Sequence, residues 1–217
     1  MLLATIPAPA REGEPIPYRR LLLRAPVLAI VTAHFATTWT IYVLLSWLPS
    51  YFREVQGLSI ANAGLFSAAP WLSYFAASNV AAVASDRCIA RGYSVTSMRK
   101  IMQCGGLIAC AGLLLAVREA HSPGLAVFLL CVAAAAQGMC LSGFPPGILD
   151  VAPRHSAVVY GFSNTFATIP GIIGVALTGW LVDVTGTYAA AFALTAAVGL
   201  TGAAVFGWLF VARPVVD

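Results

Sequence analysis

Between Pro26 and Ala212 the chain is almost wholly apolar runs long enough to cross a lipid bilayer as helices, parted by short polar stretches. Six runs can be drawn: Pro26–Leu48, Ala61–Ala84, Ile101–Val117, Leu125–Ile148, Ala157–Val182 and Ala189–Ala212. A spanning helix needs about 20 apolar residues, within roughly 17–25. The third run sits at the short end of that range and the fifth is slightly long. Bilayer-crossing strands would alternate polar and apolar over about ten residues, and these runs do not. Only 9% of the residues are charged, where a globular domain carries roughly 25%. The expected class is an all-α membrane protein with six transmembrane helices, its outer surface solvated by lipid.

The basic residues test that count. With the amino terminus placed inside, Arg11, Arg19, Arg20, Arg24, Arg87, Arg91, Arg99, Lys100, Arg154 and Arg213 all fall on the inner side. Only Arg53 and Arg118 fall outside, a bias that puts both termini on the cytoplasmic-equivalent face. Residues 1–24 are then a basic lead-in, 25–213 the membrane domain and 214–217 a short tail. The opening residues do not have the pattern of a signal peptide, because prolines and mixed charges interrupt them.

Polar groups inside the runs are the functional candidates, since an ionisable residue deep in a span is costly. His34, Thr37, Thr38 and Tyr42 lie at helical offsets on the first run. Against a solute-facing role stands a neutral histidine satisfied by a neighbouring helix, with threonines bonding their own carbonyls. Gln137 in the fourth run and Ser163, Asn164 and Thr165 in the fifth can glue helices or touch a polar solute, and Pro170 removes a helical donor midway along the fifth. Gly138 with Ser142, and Gly174 with Thr178, have the small-xxx-small spacing that lets helix backbones approach. The five cysteines are scattered without a CxxC pair, which fits reduced, buried thiols. No His, Asp or Glu cluster has metal-ligand spacing, and no nucleophile–base pair or phosphate loop is visible. The expectation is therefore no enzyme activity, no metal, no cofactor and no nucleic-acid partner.

Four ordered motifs carry a resemblance. "HFATTWTIYVLLSWLPSYF", "AGLFSAAPWLSYF", "SDRCIARGYSVTSMRKIMQCGG" and "LDVAPRHSAVVYGFSNTFATIPGIIG" resemble the seventh span, the eighth span, the loop after it and the eleventh span of major facilitator transporters. The branch resembled is that of anion/cation symporters, which includes sialin, the vesicular glutamate transporters, the type I sodium–phosphate cotransporters and the plastid phosphate transporters. The resemblance implies two inverted three-helix repeats equivalent to the carboxyl-terminal half of such a transporter. It implies that Asp86, Arg91, Arg99 and Lys100, in the connection between the second and third runs, form one inner-face gating motif, and Asp150, Pro153 and Arg154 another. It also implies that Ser163, Asn164 and Thr165 face a central cavity. Thr37 stands where vesicular glutamate transporters have an arginine, and Gly147 where many relatives have asparagine.

The implied function is half of a secondary transporter for an organic or inorganic anion, phosphate-like, coupled to sodium or protons. Its implied partners are a small anionic solute, a coupling sodium ion or proton, the bilayer, and an amino-terminal half or second copy. An organelle membrane such as the plastid envelope fits the plastid-like motifs. The alternative is a non-transporting truncated remnant or a modulatory membrane subunit.

Overall fold

The structure is a computed structural model and describes residues 18–215. Most of the lead-in and the last two residues of the tail lie outside the described residues. The elements in order are α1 (Tyr18–Leu22), α2 (Ala25–Glu54), α3 (Ile60–Ala90), α4 (Val95–Val117), α5 (Pro123–Met139), α6 (Phe144–Val151), α7 (Ser156–Ile169), α8 (Val175–Thr185) and α9 (Ala189–Leu209). A 3₁₀ turn at Cys140–Ser142 joins α5 to α6, and a π-helical turn at Pro170–Gly174 joins α7 to α8.

Among the described residues, five helical stretches are long and apolar enough to cross a membrane: Ala25–Glu54, Val95–Val117, Pro123–Val151, Ser156–Thr185 and Ala189–Leu209. The expected second span lies within α3, which is 31 residues long but richer in polar groups. The expected loop between the second and third spans shrinks to residues 91–94, because α3 runs on to Ala90 and α4 starts at Val95. Gly92, at φ 96°, makes the reversal, and Ser94 caps α4 by accepting from the Ser97 amide. Asp86 and Arg87 are thus on α3, while Arg99 and Lys100 are on α4. The third span is accordingly longer than its apolar run suggested. Helices can outrun the hydrocarbon, and charged residues at their ends mark where they leave it.

The helices pack in a definite pattern. The α3–α5, α4–α9, α4–α5, α2–α9 and α2–α7 pairs make the extensive contacts. Lipid gives no hydrophobic drive for helices to associate, so close approach must do that work. Glycine provides it. A Cβ on Gly138 would lie 2.6 Å from the Tyr74 carbonyl oxygen of α3, one on Gly106 would lie 2.6 Å from the Ala136 carbonyl oxygen of α5, and one on Gly202 would lie 2.5 Å from Cβ of Ala36 on α2. The Gly174–Thr178 pair works differently. Gly174 seats the Trp39 ring, and nearby Gly171 and Gly179 seat Tyr42 and Trp47. Here α2 inserts aromatic rings where backbone approach was expected.

Two aromatic cores close the ends. Tyr51, Phe52, Tyr188 and Phe192 gather at one end, and Leu21, Ile30, Phe144, Phe206 and Phe210 at the basic end. The chain after α9 is tied down there, with the Ala212 amide donating to Thr96 Oγ1 at 3.0 Å and the Val215 amide to the Val151 carbonyl at 2.9 Å.

Gly138→Leu would force α3 and α5 apart and should cost about 2 kcal/mol or more. Gly112→Leu should change stability little, since nothing lies within 4 Å of its Cβ position. Thermal unfolding of both variants in detergent compares them, and equal melting temperatures would refute backbone approach as the packing device.

Candidate functional site

The polar residues inside the spans converge where α2, α4, the α5–α6 break and α7 meet. Gln103 of α4 is completely buried. Its Nε2 donates to Thr37 Oγ1 at 3.1 Å, and its Oε1 accepts from the Phe144 amide at 3.1 Å. Gln137 Nε2 donates to the Thr37 carbonyl at 2.9 Å. The break in span four explains this arrangement. Gly143 has φ −96° and ψ −90°, and Pro145 and Pro146 follow, so the α6 amino terminus begins without intrahelical partners. Gln103 supplies one. A Cβ at position 143 would meet its side chain at 2.6 Å, so the amide reaches that amide proton only over a glycine.

His34 continues the cluster. Its Nδ1 lies 3.1 Å from Ser163 Oγ on α7, and its ring stacks on Phe144 with centroids 4.4 Å apart. The four polar residues of the first span therefore divide. His34 and Thr37 are buried against other helices, whereas Thr38 and Tyr42 are half-buried. Thr38 bonds the carbonyls of His34 and Phe35, and Tyr42 covers Gly171.

The fifth-span patch divides too. Ser163 is fully buried on His34, while Asn164 and Thr165 are exposed, one turn below the π-helical segment. Thr165 Oγ1 bonds the Gly161 carbonyl; Asn164 makes no side-chain hydrogen bond among the described residues. Thr168 is likewise exposed. Such π-turns are rare and often sit at functional sites. Here the exposed side of α7 that carries Asn164 leads up to the π-turn.

At the basic end, Arg99 Nε donates to Asp150 Oδ2 at 2.8 Å and Arg99 Nη1 to the Ser142 carbonyl at 3.4 Å. The two expected inner-face motifs are thus joined by one ion pair, from the start of α4 to the end of α6. Asp86, Arg91 and Arg154 are exposed, Lys100 and Pro153 are half-buried, and none of the four charged residues is ion-paired among the described residues. Gly147 holds the Phe210 ring, 2.9 Å from where its Cβ would be, so an asparagine there would displace that ring.

Sequence reasoning missed Gln103. It carried the same signal as Gln137, an amide inside an apolar run, and only its contacts reveal its role. It also missed the latch at the opposite end, where Tyr188 Oη donates to Glu54 Oε2 at 2.9 Å and Gln56 Nε2 to the Ala120 carbonyl at 3.2 Å.

Removing one member of a largely buried ion pair leaves the other charge unpaired, at a cost of several kcal/mol when burial is complete. Arg99→Gln or Asp150→Asn should each cost about 2 kcal/mol, the pair being partly solvated, and the double substitution should cost clearly less than their sum. A double-mutant cycle on thermal unfolding measures this; strict additivity would show that the pair contributes nothing specific.

The comparisons with known proteins agree with this architecture. The model of the Major Facilitator Superfamily matches residues 3–171 and 92–217. The sodium-dependent phosphate transport protein 1, chloroplastic, of Arabidopsis thaliana is 30% identical over 100% of this chain and 42% of its own length. The chloroplastic ascorbate transporter of the same plant is 29% identical over 93% of the chain and 37% of its own length, and vesicular glutamate transporter 1 of Bos taurus is 39% identical over 72% and 28%. The chain thus spans well under half the length of these relatives. It is a multi-pass membrane protein that belongs to the Major Facilitator Superfamily.

Proposed function

We propose that this chain is the carboxyl-terminal half-domain, residues 25–213, of a secondary transporter for a small anion, coupled to sodium or protons. The observation that carries the reading is the exposed Asn164 amide on α7 beside the π-turn, without a hydrogen-bond partner among the described residues and flanked by exposed Thr165 and Thr168, whose hydroxyls bond carbonyls of their own helix. It lies on a helix pair that is long enough to span a membrane yet mostly unburied within this chain. Phosphate is the first candidate solute because a match along the whole of this chain, covering 42% of the relative, is to a phosphate transport protein. Sodium is the first candidate coupling ion for the same reason.

The packing supports six spans in two inverted repeats. If α2, α3 and α4 correspond to α5–α6, α7–α8 and α9, exchanging the sets turns the α3–α5 contact into α7–α2 and the α4–α5 contact into α9–α2. The α4–α9 contact maps onto itself, as a two-fold relation requires. The whole length of α3, about 46 Å at 1.5 Å per residue, supports its counting as a span. Its polar content fits a helix facing a cavity or a mate more than lipid. The bias of basic residues supports both termini on one side, and the relatives' chloroplastic names favour a plastid envelope.

In this mechanism the solute binds near the midplane between the two halves, and access alternates as one half rocks against the other. The Arg99–Asp150 pair would hold the α4 and α6 ends together in the state described here. Exposed Asp86, Arg91 and Arg154, with half-buried Lys100, would form contacts with the mate, Pro153 shaping the turn before Arg154.

Joined behind the amino-terminal half of the Arabidopsis phosphate relative and reconstituted in liposomes, the chain should catalyse phosphate counterflow dependent on a sodium or proton gradient. Asn164→Ala should lower that uptake tenfold or more with insertion unchanged. Correct insertion without transport of phosphate, glutamate, ascorbate or sialate would instead favour a remnant or modulatory subunit. In the same assay His34→Ala should alter the pH dependence of uptake, whereas identical kinetics across pH would leave His34 only its structural bond to Ser163.

A further inference from the structure

A groove of about 320 Å³ runs between α2 and α9, away from the polar cluster. Thr32, Phe35 and Ala36 line it from α2, and Ala197, Val198, Thr201 and Gly202 from α9. Its depth has a definite origin. Gly202 takes Ala36 at a distance no other residue would permit, so the groove has a floor of bare glycine backbone and one alanine methyl. The hydroxyls of Thr32 and Thr201 are spent on the Leu28 and Ala197 carbonyls, which leaves the lining apolar to an occupant.

The same faces continue to the basic end. Down α2, Leu28 lies one turn before Thr32, and Arg24, the extended N-cap residue, stands four residues before Leu28 where the helix begins. Thr32, Leu28 and Arg24 span about 12 Å of rise. Down α9, Trp208 falls within about 20° of Ala197, and it is 84% exposed. An exposed tryptophan at the end of an apolar helix marks the headgroup level. Arg24 is exposed there, its Nε bonded to the Arg20 carbonyl, with no carboxylate partner among the described residues. Arg19, Arg20 and Arg213 lie at the same end of the molecule.

We propose that this groove is a binding site for an anionic phospholipid. One acyl chain lies along the α2–α9 floor, the phosphate meets Arg24, and the Trp208 indole sits at the glycerol level. The charge at the mouth selects an anionic headgroup over a zwitterionic one. The site is separate from the solute pathway and couples the lipid to the two helices that Gly202 holds together.

The test uses the full chain purified in a non-ionic detergent and titrated with dioleoyl phosphatidylglycerol or dioleoyl phosphatidylcholine. Thermal unfolding and native mass spectrometry are the readouts. Phosphatidylglycerol should raise the melting temperature and stay bound where phosphatidylcholine does not. Arg24→Gln should weaken its retention about fivefold, the effect of one basic residue at an anionic lipid surface. Ala197→Phe should fill the groove and abolish retention, and Thr201→Leu, a smaller intrusion, should weaken it in any preparation where the phenylalanine disturbs folding. Equal stabilisation by both lipids, or retention unchanged by the groove substitutions in folded protein, overturns the proposal. So does a lipid-independent dimer that Ala197→Phe converts to monomer, because a second copy would then be the occupant.

Discussion

Helices surrounded by lipid gain nothing from hiding apolar surface from one another, so everything in this molecule depends on how closely their backbones can come. At Gly106, Gly138 and Gly202 the neighbouring atoms occupy the space a Cβ would need. These contacts seat α4 on α5, α5 on α3 and α9 on α2, a packing across which long side chains of α4 and α5 reach α2. Gln103 and Gln137 then meet at Thr37, one through the hydroxyl and one through the carbonyl. Without the glycine contacts those amides would be buried and unpaired, at a cost of about 1–3 kcal/mol each.

The irregular backbone follows the same accounting. Within hydrocarbon, a broken helix persists only where protein groups replace the missing bonds. At the α5–α6 break, Gln103 accepts from the Phe144 amide and Arg99 donates to the Ser142 carbonyl. At the π-turn, Pro170 lacks an amide proton, and the wider turn is packed by Trp39 and Tyr42 against Gly174 and Gly171. One break is locked by polar groups from its own half. The other is backed by aromatic rings on one side and open on the side of Asn164 and Thr165. That asymmetry gives the transport reading its location.

Much of the architecture was legible in the amino-acid order. Five of the six apolar runs coincide with helical stretches long and apolar enough to span among the described residues, since length and apolar content respond to the bilayer thickness directly. Gly92 and Ser94 carried a helix-loop-helix signal that the charged residues around them masked, so α3 and α4 proved longer than their apolar cores. The candidate site was only partly legible. His34, Thr37, Thr38 and Tyr42 looked like one face, yet they spread around enough of α2 that His34 and Thr37 are buried in polar contacts with other helices, Thr38 bonds its own helix and Tyr42 packs on the π-turn. Ser163 and Asn164 are adjacent, and a helix turns by about 100° per residue, so one is buried and the other exposed.

What the sequence determined by itself is the class of molecule: helices in lipid, basic at one end, with polar residues rare enough to be noticed. These properties are sums over local stretches and need no knowledge of neighbours. What only the tertiary structure decided is which polar group serves which purpose. Thr37 is tied by two amides, Gln103 caps the amino terminus of α6 from 41 residues away along the chain, and Arg99 answers Asp150 across the fold. A hydrogen bond requires its partner within about 3 Å and in the right direction, and that relation exists only once distant segments have been folded together.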